Sequence, residues 1–219
     1  MIPRTLEPEV MDSAEDARDY DSMDHAEVNR VFVLDFLAAW DGTNPILDVG
    51  TGTAQIPIEL CLRHPAAEVV AIDLAEHMLK LARENVRRAG FTVRIRPERE
   101  NARAMSFDAE SFGTVISNSI VHHIPEPAFV FGEMVRVCRP GGTMFVRDLM
   151  RPPDADTLRR LVDTYAAGAN EHQRQLFADS LNAALTVDEV QVLVAARGCD
   201  PATVRQTSDR HWTWIARKN

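Results

Sequence analysis

The sequence predicts an α/β fold: a mostly parallel sheet of seven strands with an antiparallel last strand, helices on both faces, and a small helical insertion after strand five. Three observations predict it. Strand-like and helix-like segments alternate between residues 28 and 150, the pattern of a parallel sheet covered on both faces. The chain has 219 residues, which suits one domain with a full core. The last two strand-like segments are joined by a turn too tight for a crossover, so they run antiparallel.

The elements follow in order. Val28 to Trp40 reads as a helix with Val31, Leu34, Phe36 and Leu37 on its apolar side, and Asp41-Gly42-Thr43-Asn44-Pro45 breaks it. Ile46 to Val49 is a short buried strand, Gly50-Thr51-Gly52 turns the chain, and a helix runs from about Thr53 to Arg63. Its Pro57 sits near the first turn, where a missing N–H costs little. Glu68 to Asp73 is the second strand. The next helix, Ala75 to Ala89, spaces Met78, Ala82, Val86 and Ala89 along one face and ends at Gly90, a natural left-handed stop. Thr92 to Arg96 and Thr114 to Ser117 are the third and fourth strands. Pro125 to Arg139 is helical until Pro140-Gly141-Gly142, and Thr143 to Asp148 is the fifth strand. The insertion, residues 152–185, reads as two helices broken near Gly168. Thr186 and Glu189 form a capping box for a helix from Val187 to Arg197. Ala202 to Thr207, a Ser208-Asp209-Arg210 turn and His211 to Arg217 complete the sheet.

Composition narrows the function classes. Apolar residues make up 45% and charged residues 26%, ordinary values for a soluble protein, and no apolar run approaches the roughly 20 residues of a membrane span. The start, Met1-Ile2-Pro3-Arg4 followed by acidic residues, does not read as a signal peptide. Cys61, Cys138 and Cys199 form no CxxC pair, so a reducing, cytoplasmic setting is expected, with no disulfide framework and no metal site. The net charge is −9, and Glu7 to Glu27 holds nine acidic residues against the single Arg18. No basic stripe is left to bind a phosphate backbone, so a nucleic-acid partner is not expected. Residues 1–27 are thus an acidic N-terminal segment, read either as a solvated tail or as a lid. Residues 28–219 form the single domain.

The chemistry concentrates at strand ends. Asp48-Val49-Gly50-Thr51-Gly52-Thr53-Ala54 closes the first strand, and its glycines let the backbone approach a ligand at the crevice where open α/β sheets bind. Asp73, at the end of the second strand, is placed to accept hydrogen bonds from both hydroxyls of a ribose. A dinucleotide fingerprint starting at Gly50 requires a small residue at position 55. That position is Gln55, which crowds the helix N-terminus a pyrophosphate needs. The small residue is Ala54 instead, so a nicotinamide-dependent oxidoreductase is disfavoured.

These segments, with their neighbours, resemble the class I S-adenosylmethionine (SAM)-dependent methyltransferases, particularly the small-molecule ubiquinone/menaquinone-biosynthesis type. The likeness lies in ILDVGTGTAQIPIEL (46–60), VVAIDLAEHMLKLARENVRRAG (69–90), SFGTVISNSIVHHIPEP (111–127) and EMVRVCRPGGTMFVRDLMRP (133–152), in family order and spacing. It implies a Rossmann-like sheet, SAM as cofactor with S-adenosylhomocysteine as product, and a small-molecule acceptor. It further implies that Asp48, Gly50 and Gly52 line the methionine moiety, that Ala54 belongs to the same cofactor-binding turn, that Asp73 holds the ribose, and that Leu74 and Met78 flank the adenine. Asn101 and Ala102 stand where an Asp-Ala pair meets the adenine amino group, with Glu100 as a rival, and Ser117 and Asn118 lie beside the methionine amino group. The departures are Ala54 for the third glycine and Asn101 for the aspartate. Plainer readings stand beside these: Met78 as core, Asp48 tying its own turn, Asp73 capping a loop.

Methyl transfer from a sulfonium asks mainly for alignment and exclusion of water, with a base only if the acceptor must lose a proton. His122, His123 and Asp148 are the candidate catalytic residues, because they close the fourth and fifth strands on the ligand edge; loop packing is the alternative for the histidines. Tyr20, Met23, Asp24, His25, His123 and Arg147 are candidates for the acceptor site, and Arg147 and Asp148 are alternatively expected to pair with each other. The insertion, with Asn170, His172, Arg174 and Phe177, offers a further wall or a plain stabilising cap. Two other functions stay open. One is an RNA or protein methyltransferase, disfavoured because Asn118-Ser119-Ile120-Val121 lacks the two prolines of a D/N-P-P-Y motif. The other is a SAM-binding protein that transfers no methyl group.

Overall fold

The computed structural model describes residues 2–6, 13–22 and 25–219. Its sheet has seven strands in the order β3-β2-β1-β4-β5-β7-β6, built from β1 (Ile46–Val49), β2 (Val69–Asp73), β3 (Ile95–Arg99), β4 (Phe112–Asn118), β5 (Cys138–Leu149), β6 (Val204–Gln206) and β7 (His211–Arg217). β1 to β5 pair in parallel, and β7 runs antiparallel to both β5 and β6. The expected fold class is the observed one. Strand order reverses beside β1, so the connections that leave β1 and β4 run to opposite faces of the sheet and open a crevice at their carboxyl ends.

Each face of the sheet has its own core. On one side α2 (Ala26–Ala39), α3 (Gln55–Arg63) and α4 (Glu76–Ala89) bury Phe32, Phe36, Leu60 and Val86 against Ile46, Ala71, Ile95 and Phe145. On the other, α5 (Pro127–Val137) and α8 (Val187–Ala195) pack Phe131, Met134, Val190 and Val194 on Leu47, Val115, Trp212 and Trp214. Full burial of such side chains contributes about 1.5–3 kcal/mol each. Phe32 and Phe36 meet Phe145 edge-on. The expected apolar side of α2 is therefore rotated: Val31 and Leu34 are exposed, while Phe32, Val33 and Phe36 are buried. All five positions are apolar, so periodicity alone did not select the face that the two aromatic rings claim.

Element boundaries shift where side chains intervene. β3 starts at Ile95, not Thr92, because Arg94 and Ile95 N–H groups fold back to the Phe91 carbonyl. The Arg94 guanidinium meanwhile caps the end of α3, donating to the carbonyls of Cys61, His64 and Pro65. β5 begins at Cys138, five residues before expectation: Pro140-Gly141-Gly142 stops α5 but stays in the ladder through Gly141 N–H to the Lys218 carbonyl and Lys218 N–H to the Gly142 carbonyl. The insertion is α6 (Ala155–Tyr165) and α7 (Glu171–Ala183), broken as expected around Gly168. Both Asn170 and Thr186 carry complete capping boxes. The acidic N-terminal segment contains a helix, α1 (Ala14–Ser22), whose Ala17 is buried against Ala75 and Met78. Its residues 7–12, together with Met23 and Asp24, lie outside the described residues. No helix of the described residues is long and apolar enough to cross a membrane.

Candidate functional site

An open cleft of about 930 Å³, measured out to its mouth, lies over the carboxyl ends of β1, β2 and β4.

Its floor is the turn after β1. Gly50 and Thr51 N–H groups both donate to the Ile72 carbonyl at 2.9 Å, which curls the backbone toward β2. Gly50 sits at φ +77°, and a Cβ there would lie 2.1 Å from Ile120 Cγ2, so only glycine admits both the backbone angle and the opposite wall. Ala54 adopts φ +63° and is fully buried at the start of α3; it shapes the turn and does not line the cleft.

Polar groups converge on this floor. Asp73 accepts from Gly52 N–H at 2.8 Å through Oδ2 and from Ala75 N–H at 2.9 Å through Oδ1, so it joins the glycine turn to the head of α4 while still lining the cleft. The loop-capping role and the ligand-facing position thus coexist in one carboxylate. Asp48, expected to line the site, is 2% exposed and does not line the cleft; its carboxyl lies buried beside the Thr51 hydroxyl. Burial, with Asp73 adding to it and the nearby Thr51 opposing it, pushes the Asp48 carboxyl up to about 7.

Leu74 and Met78 form the β2 side of the cleft, and Met78 also packs against Ala17, so it is both core and lining. Glu100, Asn101 and Ala102 lie beyond them. Asn101 Oδ1 already accepts from Arg103 N–H at 3.0 Å, and Glu100 holds the hydroxyl and N–H of Ser106. Asn118 lines the cleft from β4, whereas Ser117 is buried behind it, its hydroxyl donating to the Val49 carbonyl at 2.8 Å.

The opposite wall is the turn that leaves β4. Ser119 takes φ +57°, and Ile120, His123 and Ile124 face the cleft. Its two histidines separate. His123 lines the cleft, while His122 is 4% exposed and points inward, its Nδ1 2.5 Å from Asp148 Oδ1. Asp148 also accepts from Val121 N–H and Leu149 N–H, each at 2.6 Å. Burial works to raise this carboxyl, but His122 and the two N–H groups outweigh it and hold it below the usual carboxylate range. His122 and Asp148 therefore lie behind the wall rather than in it. Arg147 and Asp148 do not pair: adjacent strand residues face opposite ways, and Arg147 instead donates to Asp35 at 2.7 Å and to the Thr213 hydroxyl at 2.9 Å, away from the cleft.

Of the N-terminal candidates, Tyr20 lines the cleft across from Gly52, and the His25 ring packs 4.8 Å from that of Tyr20 without lining it. Asp21 anchors α1 by accepting from Asn85 Nδ2 at 2.8 Å and Gln55 Nε2 at 3.4 Å. Gln55 therefore stands over the start of α3, tied also to Asn29 at 3.1 Å. Sequence reasoning missed Ser119 and Ile120, since no motif marks a residue defined by facing a glycine across the sheet. It also missed Arg4, whose four contacts are all to chain more than a hundred residues away.

Comparison with known proteins converges on one family. Residues 46–142 match the family described as a methyltransferase domain. The chain is 37% identical over 101 residues to a phosphatidylethanolamine N-methyltransferase of Cereibacter sphaeroides, covering 46% of this chain and 48% of that one. It is 33% identical over 129 residues to a ubiquinone biosynthesis O-methyltransferase of Hahella chejuensis, covering 58% and 52%. The chain spans about half the length of the curated relatives it matches. Among solved structures, a SAM-dependent methyltransferase fold from Methanococcus maripaludis superposes with a TM-score of 0.72 at 15% identity, covering 98% of this chain and 97% of that one; this likeness is one of fold.

Proposed function

We propose that this chain, whose residues 46–142 are a class I SAM-dependent methyltransferase domain, transfers the methyl group of SAM to a small-molecule acceptor. The observation that carries the reading is the floor of the cleft: a glycine turn braced by Asp73, with Gly50, Gly52, Asp73 and Asn118 all lining it.

The residues fit SAM part by part. Asp73 lines the cleft where a ribose would offer its hydroxyls, and Leu74, Met78 and Ala102 offer an apolar slot for the adenine, with Asn101 or Glu100 at its polar edge. Gly50, Gly52 and Asn118 border the place of the methionine end, and Asp48 lies buried outside the lining, where a nearby ammonium would favour its ionised form. Gln55, the first residue of α3, is held by Asp21 and Asn29 and stands where a dinucleotide fingerprint needs a small residue, which disfavours a dinucleotide. When bound, SAM supplies an activated methyl group on a sulfonium. The protein's part is to orient the acceptor and exclude water. Tyr20 and His123 border the space left for the acceptor, and His123 is placed to take a proton from it if its chemistry requires. His122 and Asp148 hold the wall behind.

The acceptor is proposed to be a small molecule because the relatives named above are enzymes of phospholipid and quinone methylation and the net charge of −9 disfavours a nucleic acid. Calorimetric titration with SAM, S-adenosylhomocysteine and NAD tests the cofactor. Binding of the first two without the third is expected. Folded protein that binds neither SAM nor its product would refute the reading.

A further inference from the structure

The turn that carries Ile120 and His123 is held from two sides. From beneath, Asp148 takes the Val121 N–H and the His122 ring, as described. From outside, the carbonyls of the same turn are taken by one residue, Arg4. Its Nη2 donates to the Ile124 carbonyl at 2.9 Å and the His122 carbonyl at 3.2 Å, and its Nη1 reaches the Pro125 carbonyl at 3.4 Å. Its Nε donates to the Ala183 carbonyl, the last residue of α7, at 2.6 Å. The adjoining Thr5 N–H donates to the Asn182 carbonyl at 3.1 Å, which fixes the register of this short strap.

The chemistry suits arginine alone. A guanidinium presents five N–H donors in a rigid plane, so one side chain spans carbonyls of two separate elements; an ammonium on a flexible stem cannot hold that fork. Burial lowers the Arg4 guanidinium somewhat, with Glu189 raising it, Arg151 lowering it and Asp148 raising it, and the group stays charged. The contacts join the end of the insertion to the wall of the cleft. α7 itself rests against Val121–His123, so Arg4 sits at the seam where the insertion meets the turn.

We infer that Arg4 is a positioning residue for the cleft. It sets the wall that carries Ile120 and His123, and it couples that wall to the helical insertion. Arg4 lies outside residues 46–142, the part matched to the methyltransferase family, and touches no residue of the glycine turn. Its effect on ligand binding passes through Ile120, which closes over Gly50, and through His123. The inference rests on the proposed donor site only for which ligand reports it.

The test compares Arg4→Ala and Arg4→Lys with a matched control, Arg94→Ala. Arg94 also donates to three carbonyls at a helix end, but on the far side of the sheet from this turn. Amide hydrogen exchange of the unliganded proteins is measured over residues 119–126 and 181–185, with thermal midpoints and S-adenosylhomocysteine affinity alongside. Arg4→Ala should speed exchange in both segments and weaken S-adenosylhomocysteine by about 3- to 10-fold. Arg4→Lys should restore little of either. Arg94→Ala should lower the thermal midpoint while leaving exchange at 119–126 and the affinity as in the wild type. Unchanged exchange in Arg4→Ala would overturn the clamp. Faster exchange with unchanged affinity would overturn its role in positioning. Wild-type protein that fails to bind S-adenosylhomocysteine would count against the donor site instead, and the exchange data on unliganded protein would still decide whether Arg4 holds the wall.

Discussion

The two walls of the cleft are assembled from different amounts of chain. Most of the donor wall comes from one stretch, Ile46 to Met78, in which a strand, a glycine turn, a helix, a second strand and an aspartate follow one another, with Glu100 to Ala102 and Asn118 completing it. Its hydrogen bonds close locally, from Gly50 and Thr51 to Ile72 and from Gly52 to Asp73. The opposite wall gathers Arg4, Tyr20, the turn at 119–124, Asp148 and the end of α7. The first wall is set by backbone geometry. The second is set by side chains, chiefly the Asp148 carboxylate and the Arg4 guanidinium, that satisfy another segment's backbone. The donor wall thus suits a constant cofactor, whereas the opposite wall can be re-formed by changing a few distant residues.

This contrast can be tested by variants taken in order of effect. Asp148→Ala should be the most damaging. It strands two N–H groups and the His122 ring in the interior, a loss of about 3–5 kcal/mol. Chemical denaturation measures it, and a loss below 1 kcal/mol would show that the opposite wall does not depend on this carboxylate.

Next comes the pH response of Asp48. Its carboxyl is raised to about 7 in the folded protein from an ordinary value of 3.8. The folded state therefore holds a proton that the unfolded state has released, and stability of the unliganded protein should fall as pH rises from about 4 to about 7. Asp48→Asn should remove that slope and be more stable than wild type at pH 8, by on the order of 3 kcal/mol, while binding SAM more weakly. Parallel denaturation curves at pH 5 and pH 8 check this; identical slopes in the two proteins would contradict the assignment.

Asp73→Ala should weaken SAM by roughly 1.5–3 kcal/mol, the range for hydrogen bonds to a charged group, as read by calorimetry. Because Asp73 also braces Gly52 and Ala75, a fall in thermal midpoint is expected alongside. Smallest is Arg147→Ala. Its partner Asp35 is half-exposed, so the ion pair contributes up to about 1 kcal/mol, and SAM affinity should not change. A marked loss of affinity would place Arg147 in the site after all.

Much of the molecule was legible in the sequence. The sheet and its helices followed from alternation of periodicity, the Thr186–Glu189 capping box from its spacing, and the glycine turn with Asp73 at the strand ends from a short motif, because each depends on residues close in the chain. The misreadings share a cause. Val31 and Leu34 were assigned to the buried side of α2 because the helix is apolar on more than one side, and only the ring of Phe145 decides which side is covered. Thr92 was placed in a strand that Arg94 delays by capping α3. Arg147 and Asp148 were adjacent in sequence but face opposite sides of β5.

The sequence by itself therefore determined the α/β class, the order of the elements and the donor end of the cleft, since short-range backbone and turn chemistry specifies them. Tertiary structure alone decided that His122 faces inward to Asp148 while His123 faces the cleft, that Ile120 closes over Gly50, that α1 carries Tyr20 to the rim, and that Arg4 clamps the wall. Each of these is a contact between segments far apart in the chain, fixed by packing and by the need to satisfy buried polar groups, and no local pattern encodes it.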